Sequence, residues 1–390
     1  MSKILIIEDD EIVANIYRNK LRVEGFEVES AADGETGLAA ARQFRPDAIL
    51  LDLMLPKITG IELMRQLRAE PGFAKTPFIV FSNTYLTNIV QEAWKAGATK
   101  CLSKANCTPK HVIEALRTSL SAAAGTAVAP PAPASAPAPE TAAPSDAALE
   151  AELRRDLLAN LPATVAGLRT AHQQLVKTTD PAAQSQTLMA MYRPIHALTG
   201  NAGLAGLKLL ANFADAFEAL LKELAEKPAH LNPSTLRTVA SGIDFLHLLG
   251  TKGGGETAGD PGAAHILVVD DEAISRRAVN HALEKARLKA INADRPLTAL
   301  QLLRERRYEL IFLDVDMPEM TGYELCAKLR ELPAYQRTPV VFVTALNDLT
   351  ARANSTMSGG NDFIAKPFLF IELAVKALLH LYRARLATAK

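Results

Sequence analysis

One histidine of the chain lies in unusual surroundings, His196 in the stretch IHALTGNAGLAG that runs from Ile195 to Gly206. On a helix, the residues four and seven positions later lie on the same face as His196, and both are glycines, Gly200 and Gly203. Each interior glycine costs a helix about 1 kcal/mol relative to alanine. The pattern predicts an imidazole on a bare helix face that another surface approaches closely.

Carboxylates form a second group of candidate residues, and they recur with one fixed spacing. Shifting the chain by 262 positions superimposes eight polar or conformationally special residues without a gap. The superimposed pairs are Asp9 and Asp271, Asp52 and Asp314, Pro56 and Pro318, Gly60 and Gly322, Pro77 and Pro339, Ser82 and Thr344, Gly97 and Gly359, and Lys104 and Lys366. This constant register indicates two copies of one domain, which we call the N-terminal copy and the C-terminal copy.

Each copy alternates short β-branched runs with amphipathic stretches, which indicates alternating strands and helices. The runs are 3–7, 26–31, 48–52, 77–82 and 100–104 in the N-terminal copy, and 265–270, 288–293, 310–314, 339–344 and 362–366 in the C-terminal copy. Five such alternations predict a doubly wound, five-stranded parallel sheet with helices on both faces. Sheets of this kind carry their sites at the carboxyl ends of the strands.

Carboxylates, one hydroxyl and one lysine lie at these predicted strand ends. They are Glu8, Asp9, Asp52, Ser82 and Lys104 in the N-terminal copy, and Asp270, Asp271, Asp314, Thr344 and Lys366 in the C-terminal copy. Three converging carboxylates repel one another unless a cation neutralises them, and an oxygen-only set with few protein ligands suits Mg²⁺. The lysine and hydroxyl would then contact a phosphoryl group on the central aspartate. Alone, each feature is usually turn chemistry or a solvated loop; the joint pattern, found twice, favours aspartate phosphorylation.

These residues resemble those of the receiver domain of bacterial response regulators, and the resemblance covers nearly all of both copies. It implies a flavodoxin-like fold in which Asp52 and Asp314 accept a phosphoryl group from a phosphohistidine. It also implies that the acidic pair and the central aspartate of each copy bind Mg²⁺, and that the hydroxyl and lysine detect the phosphoryl group. The backbone carbonyls of Met54 and Asp316 would complete the metal shell.

The two copies differ at positions that the receiver family uses to transmit the signal. The C-terminal copy has Phe363 at the place of the family's aromatic switch and Lys366-Pro367 where the family holds a cis peptide. The N-terminal copy has Cys101 and Lys104-Ala105 at these places, and a cis peptide without proline costs about 3 kcal/mol. We therefore expect the same chemistry in both copies but a different transmission in the first.

The region between the copies has the periodicity of helices. Apolar residues recur every three to four positions, at Leu149, Leu153, Leu157, Leu161, Val165 and Leu168. Asp180-Pro181 and Asn232-Pro233 are typical of helix starts, with an N-cap followed by proline. The sequence predicts an all-α four-helix bundle, whose last helix spans Asn232 to Gly250.

The stretch that contains His196 looks like the signature of the histidine-phosphotransfer (HPt) domain, and the resemblance covers the bundle, including the acidic Glu218. It implies that the imidazole Nε2 carries a phosphoryl group between receiver aspartates, without a catalytic site of its own. Two residues depart from the pattern. Thr199 stands where the family usually has a lysine, and Pro194 should remove a helix hydrogen bond and kink the segment.

The composition gives evidence on nucleic-acid binding, on the state of the cysteines and on membrane insertion. The counts of Lys+Arg and of Asp+Glu are both 43, which gives no indication of nucleic-acid binding. The three cysteines, Cys101, Cys107 and Cys326, lack metal-ligand spacing and favour reduced thiols in a cytoplasm, and we expect no membrane insertion. Low-complexity stretches divide the chain into 1–120 (N-terminal copy), 121–144 (Ala/Pro-rich linker), 145–250 (helical middle region), 251–263 (Gly-rich linker) and 264–390 (C-terminal copy).

The sequence thus favours a cytoplasmic phosphorelay protein of two-component signalling, with no ATP-binding kinase domain of its own. A sensor histidine kinase would phosphorylate one aspartate, His196 would take the group over, and the other aspartate would receive it or act as a sink. Other receiver or HPt domains and a downstream protein target are the expected partners. Thr199 and Pro194 leave an alternative open, a phosphorylation-gated adaptor whose bundle is only a docking or dimerisation module. The direction of transfer, the cognate kinase and the oligomeric state are left open.

Overall fold

The computed structural model describes residues 1–82, 87–106, 109–123, 146–252, 264–344 and 358–388. The chain divides into two compact units, Met1–Asn160 with Ile195–Asp215, and Leu161–Pro194 with Ala216–Lys390. Three helices of the middle region contribute residues to both units. Most of the two predicted linkers, and also Cys107, lie outside the described residues, and the domain limits drawn from the sequence stay predictions.

The N-terminal copy forms an all-parallel sheet with strand order β2-β1-β3-β4-β5. Its elements are β1 (Lys3–Ile7), α1 (Glu11–Val23), β2 (Glu27–Ala31), α2 (Gly34–Phe44), β3 (Ala48–Asp52), α3 (Gly60–Ala69), β4 (Phe78–Ser82), α4 (Thr87–Lys95), β5 (Lys100–Ser103) and α5 (Pro109–Ala123). All five residues of β3 are buried, as expected for a central strand covered on both faces. The predicted doubly wound sheet is confirmed.

The middle region consists of four long helices, as predicted. They are α6 (Asp146–Lys177), α7 (Pro181–Leu204), α8 (Lys208–Glu226) and α9 (Pro233–Thr251). Asn232 caps α9 in a capping box with Thr235, and Asp180 accepts a hydrogen bond from the Ala183 amide at the start of α7. Helix α7 continues through Pro194, so the proline does not end the helix.

The C-terminal copy repeats the first architecture, with strand order β7-β6-β8-β9-β10. Its elements are β6 (Ile266–Val269), α10 (Ala273–Lys285), β7 (Ala290–Ala293), α11 (Pro296–Glu305), β8 (Leu310–Asp314), α12 (Gly322–Glu331), β9 (Val340–Thr344), β10 (Asp362–Ala365) and α13 (Phe370–Thr388). The second predicted sheet is therefore confirmed as well.

Glycines begin the helix that follows each phosphoacceptor candidate. A Cβ atom at Gly60 would lie 2.2 Å from the carbonyl oxygen of Asp52, and one at Gly322 would lie 2.1 Å from that of Asp314. No side chain fits at these distances, so the third helix of each copy can start against the end of its central strand only with glycine.

Within the described residues, no helix is long and apolar enough to cross a membrane.

Candidate functional site

The carboxyl edge of the first sheet brings three of the predicted residues together. Asp52 ends β3, Glu8 follows β1 directly, and Lys104 follows β5; the side chains of all three are at least nine-tenths buried. The Lys104 ammonium donates to Asp52 Oδ2 at 2.6 Å and to Glu8 Oε1 at 2.9 Å. One buried cation therefore holds two carboxylates that would otherwise repel each other.

Burial and charge set the protonation of this group. Burial raises the pKa of Glu8 to about 7, against the Lys104 ammonium and with a further contribution from Asp52. Burial alone would raise the pKa of Asp52 too, but Lys104 and His196 outweigh it and hold that pKa well below its ordinary value. The carboxylates likewise keep the pKa of Lys104 above its usual range although burial opposes this. Asp52 is therefore an ionised nucleophile at neutral pH.

His196 completes this cluster from helix α7. Its Nε2 atom lies 3.4 Å from Asp52 Oδ2 and 3.4 Å from Lys104 Nζ. The imidazole side chain is 11% exposed and Asp52 only 1%, so the nitrogen and the carboxylate meet in a nearly closed space. The histidine and aspartate singled out in the sequence are thus direct neighbours, 144 residues apart in the chain.

The glycine face around His196 is in contact with the N-terminal copy. A Cβ atom at Gly203 would lie 2.4 Å from the carbonyl oxygen of Lys104, and one at Gly200 would lie 3.6 Å from Val13. Asn201 donates through its side-chain amide to Asp10 Oδ2 at 3.3 Å. The close approach predicted from the glycines is therefore present, whereas the hydrogen bond from Asn201 to Asp10 was not foreseen.

The C-terminal copy repeats the carboxylate and lysine arrangement. The Lys366 ammonium donates to Asp314 Oδ1 at 2.9 Å and to Asp270 Oδ2 at 3.0 Å. Burial raises the pKa of Asp314, and Lys366 opposes this shift without reversing it. The pKa of Asp52 is lowered and not raised, because Asp52 has a histidine beside it in addition to its lysine.

One residue of this second pocket was missed by the sequence reasoning. The Ser275 hydroxyl donates to Asp270 Oδ2 at 2.5 Å, and the neighbouring Arg276 donates to the Asp270 carbonyl oxygen at 2.6 Å. The equivalent of Ser275 in the N-terminal copy is Val13, which cannot form such a bond. The only indication of this contact in the sequence is a polar residue at this position of the helix.

The remaining predicted residues lie near these two pockets. Thr344 ends β9 and is fully buried, and its carbonyl oxygen accepts from the Lys366 amide at 2.7 Å. Ser82 ends β4 at the equivalent place. The Met54 amide donates to Asp52 Oδ1 at 3.0 Å, and Asp316 is exposed just after β8. The carbonyl ligands proposed at Met54 and Asp316 stay predictions.

Both pockets offer donors that fit a divalent cation. Oxygen atoms of Asp270, Asp271 and Asp314 lie within 4.8 Å of one another, which is a set of three hard ligands suited to Mg²⁺. In the N-terminal copy, ligand atoms of Asp9, Asp52 and His196 lie within the same spacing. There the two carboxylates fit Mg²⁺, whereas an imidazole nitrogen does not suit this cation.

Phe363 and Glu372 of the C-terminal copy contact helix α9. The Arg237 guanidinium lies over the Phe363 ring, 4.7 Å from its centre. The hydroxyls of Ser234 and Thr238 donate to the buried Glu372 carboxylate at 2.6 and 3.0 Å. The Lys366-Pro367 peptide is cis, as the resemblance implied, and it is the only cis peptide in the described part of the chain.

Comparison with known protein families gives a match at each end of the chain. Residues 4–117 and residues 266–377 both match the family model of the response regulator receiver domain. Among curated proteins, the chain is similar to the transcriptional regulatory protein SrrA of Staphylococcus aureus, with 40% identity over 116 residues. That alignment covers 29% of this chain and 47% of SrrA, so the chain spans about half the length of the curated relatives it matches.

The chain is also similar to parts of solved structures. The chain is similar to the chemotaxis protein CheY4 of Vibrio cholerae, with 30% identity and a TM-score of 0.27, over 28% of this chain and 92% of that protein. It is also similar to the receiver domain of a sensor histidine kinase from Pseudomonas aeruginosa, which has a magnesium ion in its active site cleft. That similarity has 27% identity and a TM-score of 0.29, over 30% of this chain and 97% of the other.

Proposed function

Because the chain belongs to the response regulator receiver family, with one receiver at residues 4–117 and another at 266–377, we propose that it is a phosphorelay protein of two-component signalling. In this proposal Asp52 and Asp314 are the phosphoacceptors of the two receivers. His196 is the phosphotransfer histidine of the middle region. The chain moves phosphoryl groups and has no kinase activity of its own, so it depends on a sensor histidine kinase.

A single observation carries the proposal, the 3.4 Å distance between His196 Nε2 and Asp52 Oδ2. Core histidines are common, but a core histidine has no reason to face the one carboxylate at the end of a receiver's central strand. The bare glycine face brings the helix backbone close enough for this meeting. His196 Nε2 and Asp52 Oδ2 are therefore placed for phosphoryl exchange. The two atoms need to move apart only enough to admit a phosphorus atom between them.

The transfer itself exchanges one bond for another. The Nε2 lone pair of neutral His196 attacks the phosphorus of phosphorylated Asp52, so that a nitrogen–phosphorus bond forms. The oxygen–phosphorus bond to Asp52 breaks, and its electron pair returns to the carboxylate. Lys104 favours this step, because its ammonium donates to Asp52 Oδ2 and stabilises the released carboxylate as an anion. The reverse step uses the same atoms.

The other residues of each pocket position the phosphoryl group and balance its charge. Lys104 and Lys366 contact the phosphoacceptors and can donate to a phosphoryl oxygen. Ser82 and Thr344, at the ends of equivalent strands, would supply the hydroxyl donor. Mg²⁺, held by Asp9 and Asp52 or by Asp270, Asp271 and Asp314, would neutralise charge on the phosphoryl oxygens when bound. Glu8, the third carboxylate predicted for the first site, accepts from Lys104. Output would follow through contact with a downstream protein in the cytoplasm.

The proposal is tested with the purified full chain, radiolabelled acetyl phosphate as a small acyl phosphate donor, and Mg²⁺. We expect base-labile label on the aspartates, followed by label at His196 that is stable to base and labile to acid. The His196→Gln variant should retain the aspartate label and lose only the base-stable fraction. Labelled aspartates with no base-stable label in the wild-type chain would rule out the relay.

A second function is favoured by the contacts of α9. Arg237 covers Phe363, and Ser234 and Thr238 bind Glu372, so this helix is packed on the face that a receiver uses for signalling. Under this alternative the middle region is a docking module gated by phosphorylation of Asp314. Thr199 agrees with it, since its buried hydroxyl donates to the Ile195 carbonyl oxygen. The labelling experiment separates the two functions, because only the relay produces phosphohistidine.

A further inference from the structure

We propose that His196 exchanges phosphoryl groups with Asp52 and not with Asp314 of the same chain, and that Asn201 and Gly203 determine this pairing. The inference rests on the proposed function, since it names the partner of His196 within the relay. The sequence alone left both aspartates as partners. The contacts around helix α7 distinguish between them.

The first argument is the composition of the compact units. His196, Asn201 and Gly203 belong to the same unit as Asp52, whereas Asp314 belongs to the other unit. Within the first unit the contacts are specific. Asn201 donates to Asp10, the residue that caps α1, and Gly203 lies against the backbone of Lys104. Helix α7 therefore contacts both the start of α1 and the residue that follows β5.

Apolar packing extends this surface. Leu204, the last residue of α7, belongs to the buried apolar cluster of the N-terminal copy, together with Val13, Ala14 and Ile16 of α1. The exposed fractions of these four side chains are 8% or less. Because burial of apolar side chains is favourable, Leu204 stabilises the packing of α7 on the N-terminal copy. We call this contact area, formed by α1 and Lys104–Ala105, the α7 docking surface.

The equivalent surface of the C-terminal copy keeps a carboxylate, Glu272, at the place of Asp10, but its apolar residues differ. Arg276 and Ala278 replace Ala14 and Ile16, which gives α10 a charge and removes apolar area. Ser275 replaces Val13, and its hydroxyl is already bonded to Asp270.

The loop after the fifth strand differs as well. Pro367 stands at the place of Ala105, where the Cα atom would lie 3.5 Å from a Cβ atom on Gly203. Proline at that place adds a ring to the loop and removes the backbone amide hydrogen that Ala105 has. The α7 docking surface is therefore particular to the N-terminal copy.

The first test compares single-receiver variants of the full chain. Asp314→Asn leaves only Asp52 to be labelled by acetyl phosphate, and Asp52→Asn leaves only Asp314. We expect base-stable label at His196 to form in Asp314→Asn at the wild-type rate, independent of protein concentration. In Asp52→Asn we expect Asp314 to be labelled while phosphohistidine forms about a hundredfold more slowly or not at all.

The second test uses two glycine variants that differ only in what the new methyl group meets. Gly203→Ala places a Cβ atom against the Lys104 carbonyl oxygen, whereas Gly167→Ala in helix α6 meets no atom within 4 Å. We expect Gly203→Ala to slow transfer from Asp52 to His196 about tenfold or more, and Gly167→Ala to leave it unchanged. Asn201→Ala should also slow the transfer from Asp52 to His196. It should leave the rate at which phosphorylated His196 hydrolyses unchanged.

The outcomes separate this inference from the function it rests on. Rapid phosphohistidine formation in Asp52→Asn would overturn the pairing and leave the relay intact. Unchanged transfer in both Gly203→Ala and Asn201→Ala would overturn the role of these two residues. Absence of phosphohistidine from every variant, with both aspartates labelled, would overturn the relay itself and the pairing with it.

Discussion

The same lysine and aspartate pair has different surroundings in the two receivers. Lys104 is 6% exposed and contacts two carboxylates and a histidine, whereas Lys366 is 21% exposed and contacts two carboxylates. The pKa of Asp52 lies below its ordinary value and that of Asp314 lies above it. A pair of residues that looks identical in the sequence thus has two electrostatic environments, because burial and the third neighbour differ.

This difference predicts unequal effects of one substitution. We expect Lys104→Met to lower the free energy of unfolding by about 3 kcal/mol at pH 8 without Mg²⁺, since it leaves buried carboxylates without a cation. Lys366→Met should cost clearly less, because solvent reaches that pocket. Urea denaturation of the two variants, each with and without Mg²⁺, measures this, and Mg²⁺ should restore part of the loss. An equal or larger loss for Lys366→Met would contradict it.

A partly buried aspartate outside both phosphoacceptor pockets predicts that the stability of the protein depends on pH in the acid range. Asp362 accepts from Lys376 Nζ at 2.7 Å and from His380 Nε2 at 3.1 Å. Burial alone would raise the pKa of Asp362, but Lys376 and His380 hold it far below its ordinary value of 3.8. A lowered folded-state pKa contributes stability that is present above the unfolded pKa and is lost as the pH falls below it.

We therefore expect the wild-type free energy of unfolding to fall as the pH decreases from about 4. Asp362→Asn should lower stability by about 3 kcal/mol at pH 7 and should lack this part of the acid dependence. Denaturant titrations between pH 3 and pH 7 test both statements. Asp244→Asn, in an exposed pair with Arg169, is the matched control and should change little. Parallel pH profiles for wild type and Asp362→Asn would be the contrary result.

At the scale of elements, the sequence predicted the strands and the two pockets because both depend on local signals. The ten strands found in the described residues agree with the predicted runs to within two residues at either end. The pocket residues follow from strand ends, which topology brings to one edge. The hydrogen bond between Asn201 and Asp10 could not be predicted, because it joins residues 191 positions apart and depends on how α7 packs. The bond from Ser275 to Asp270 likewise depends on a rotamer.

The start of helix α3 gives a prediction at this scale. Gly60→Ala places a Cβ atom 2.2 Å from the Asp52 carbonyl oxygen, so either the helix or the end of β3 has to move. We expect a loss of about 2 kcal/mol or more in the free energy of unfolding. Gly167→Ala, in an exposed helix interior, should instead add about 0.5–1 kcal/mol. Urea denaturation compares the two, and a neutral Gly60→Ala would show that this junction is not tightly packed.

At the scale of the whole molecule, each receiver shares a compact unit with part of the middle region. One unit contains Asp52 and His196, and the other contains Asp314 and α9. The chain between α5 and α6, residues 124–145, connects Asp52 to His196 covalently. A tether of this kind makes the encounter intramolecular, with an effective concentration on the order of millimolar. The relay step should therefore depend on this segment and not on the segment between α9 and β6.

Cutting the chain at these two places tests that dependence. A protease site within residues 124–145 separates Asp52 from His196, whereas a site within 253–263 separates only the C-terminal copy. We expect phosphohistidine formation from Asp52 to become concentration-dependent after the first cut, and to fall on dilution to nanomolar protein, far below a millimolar effective concentration. After the second cut the rate should match that of the uncut chain at every dilution. Equal sensitivity to both cuts would mean that the C-terminal copy is needed for the step, and insensitivity to the first would mean that the α7 docking surface holds His196 without the tether.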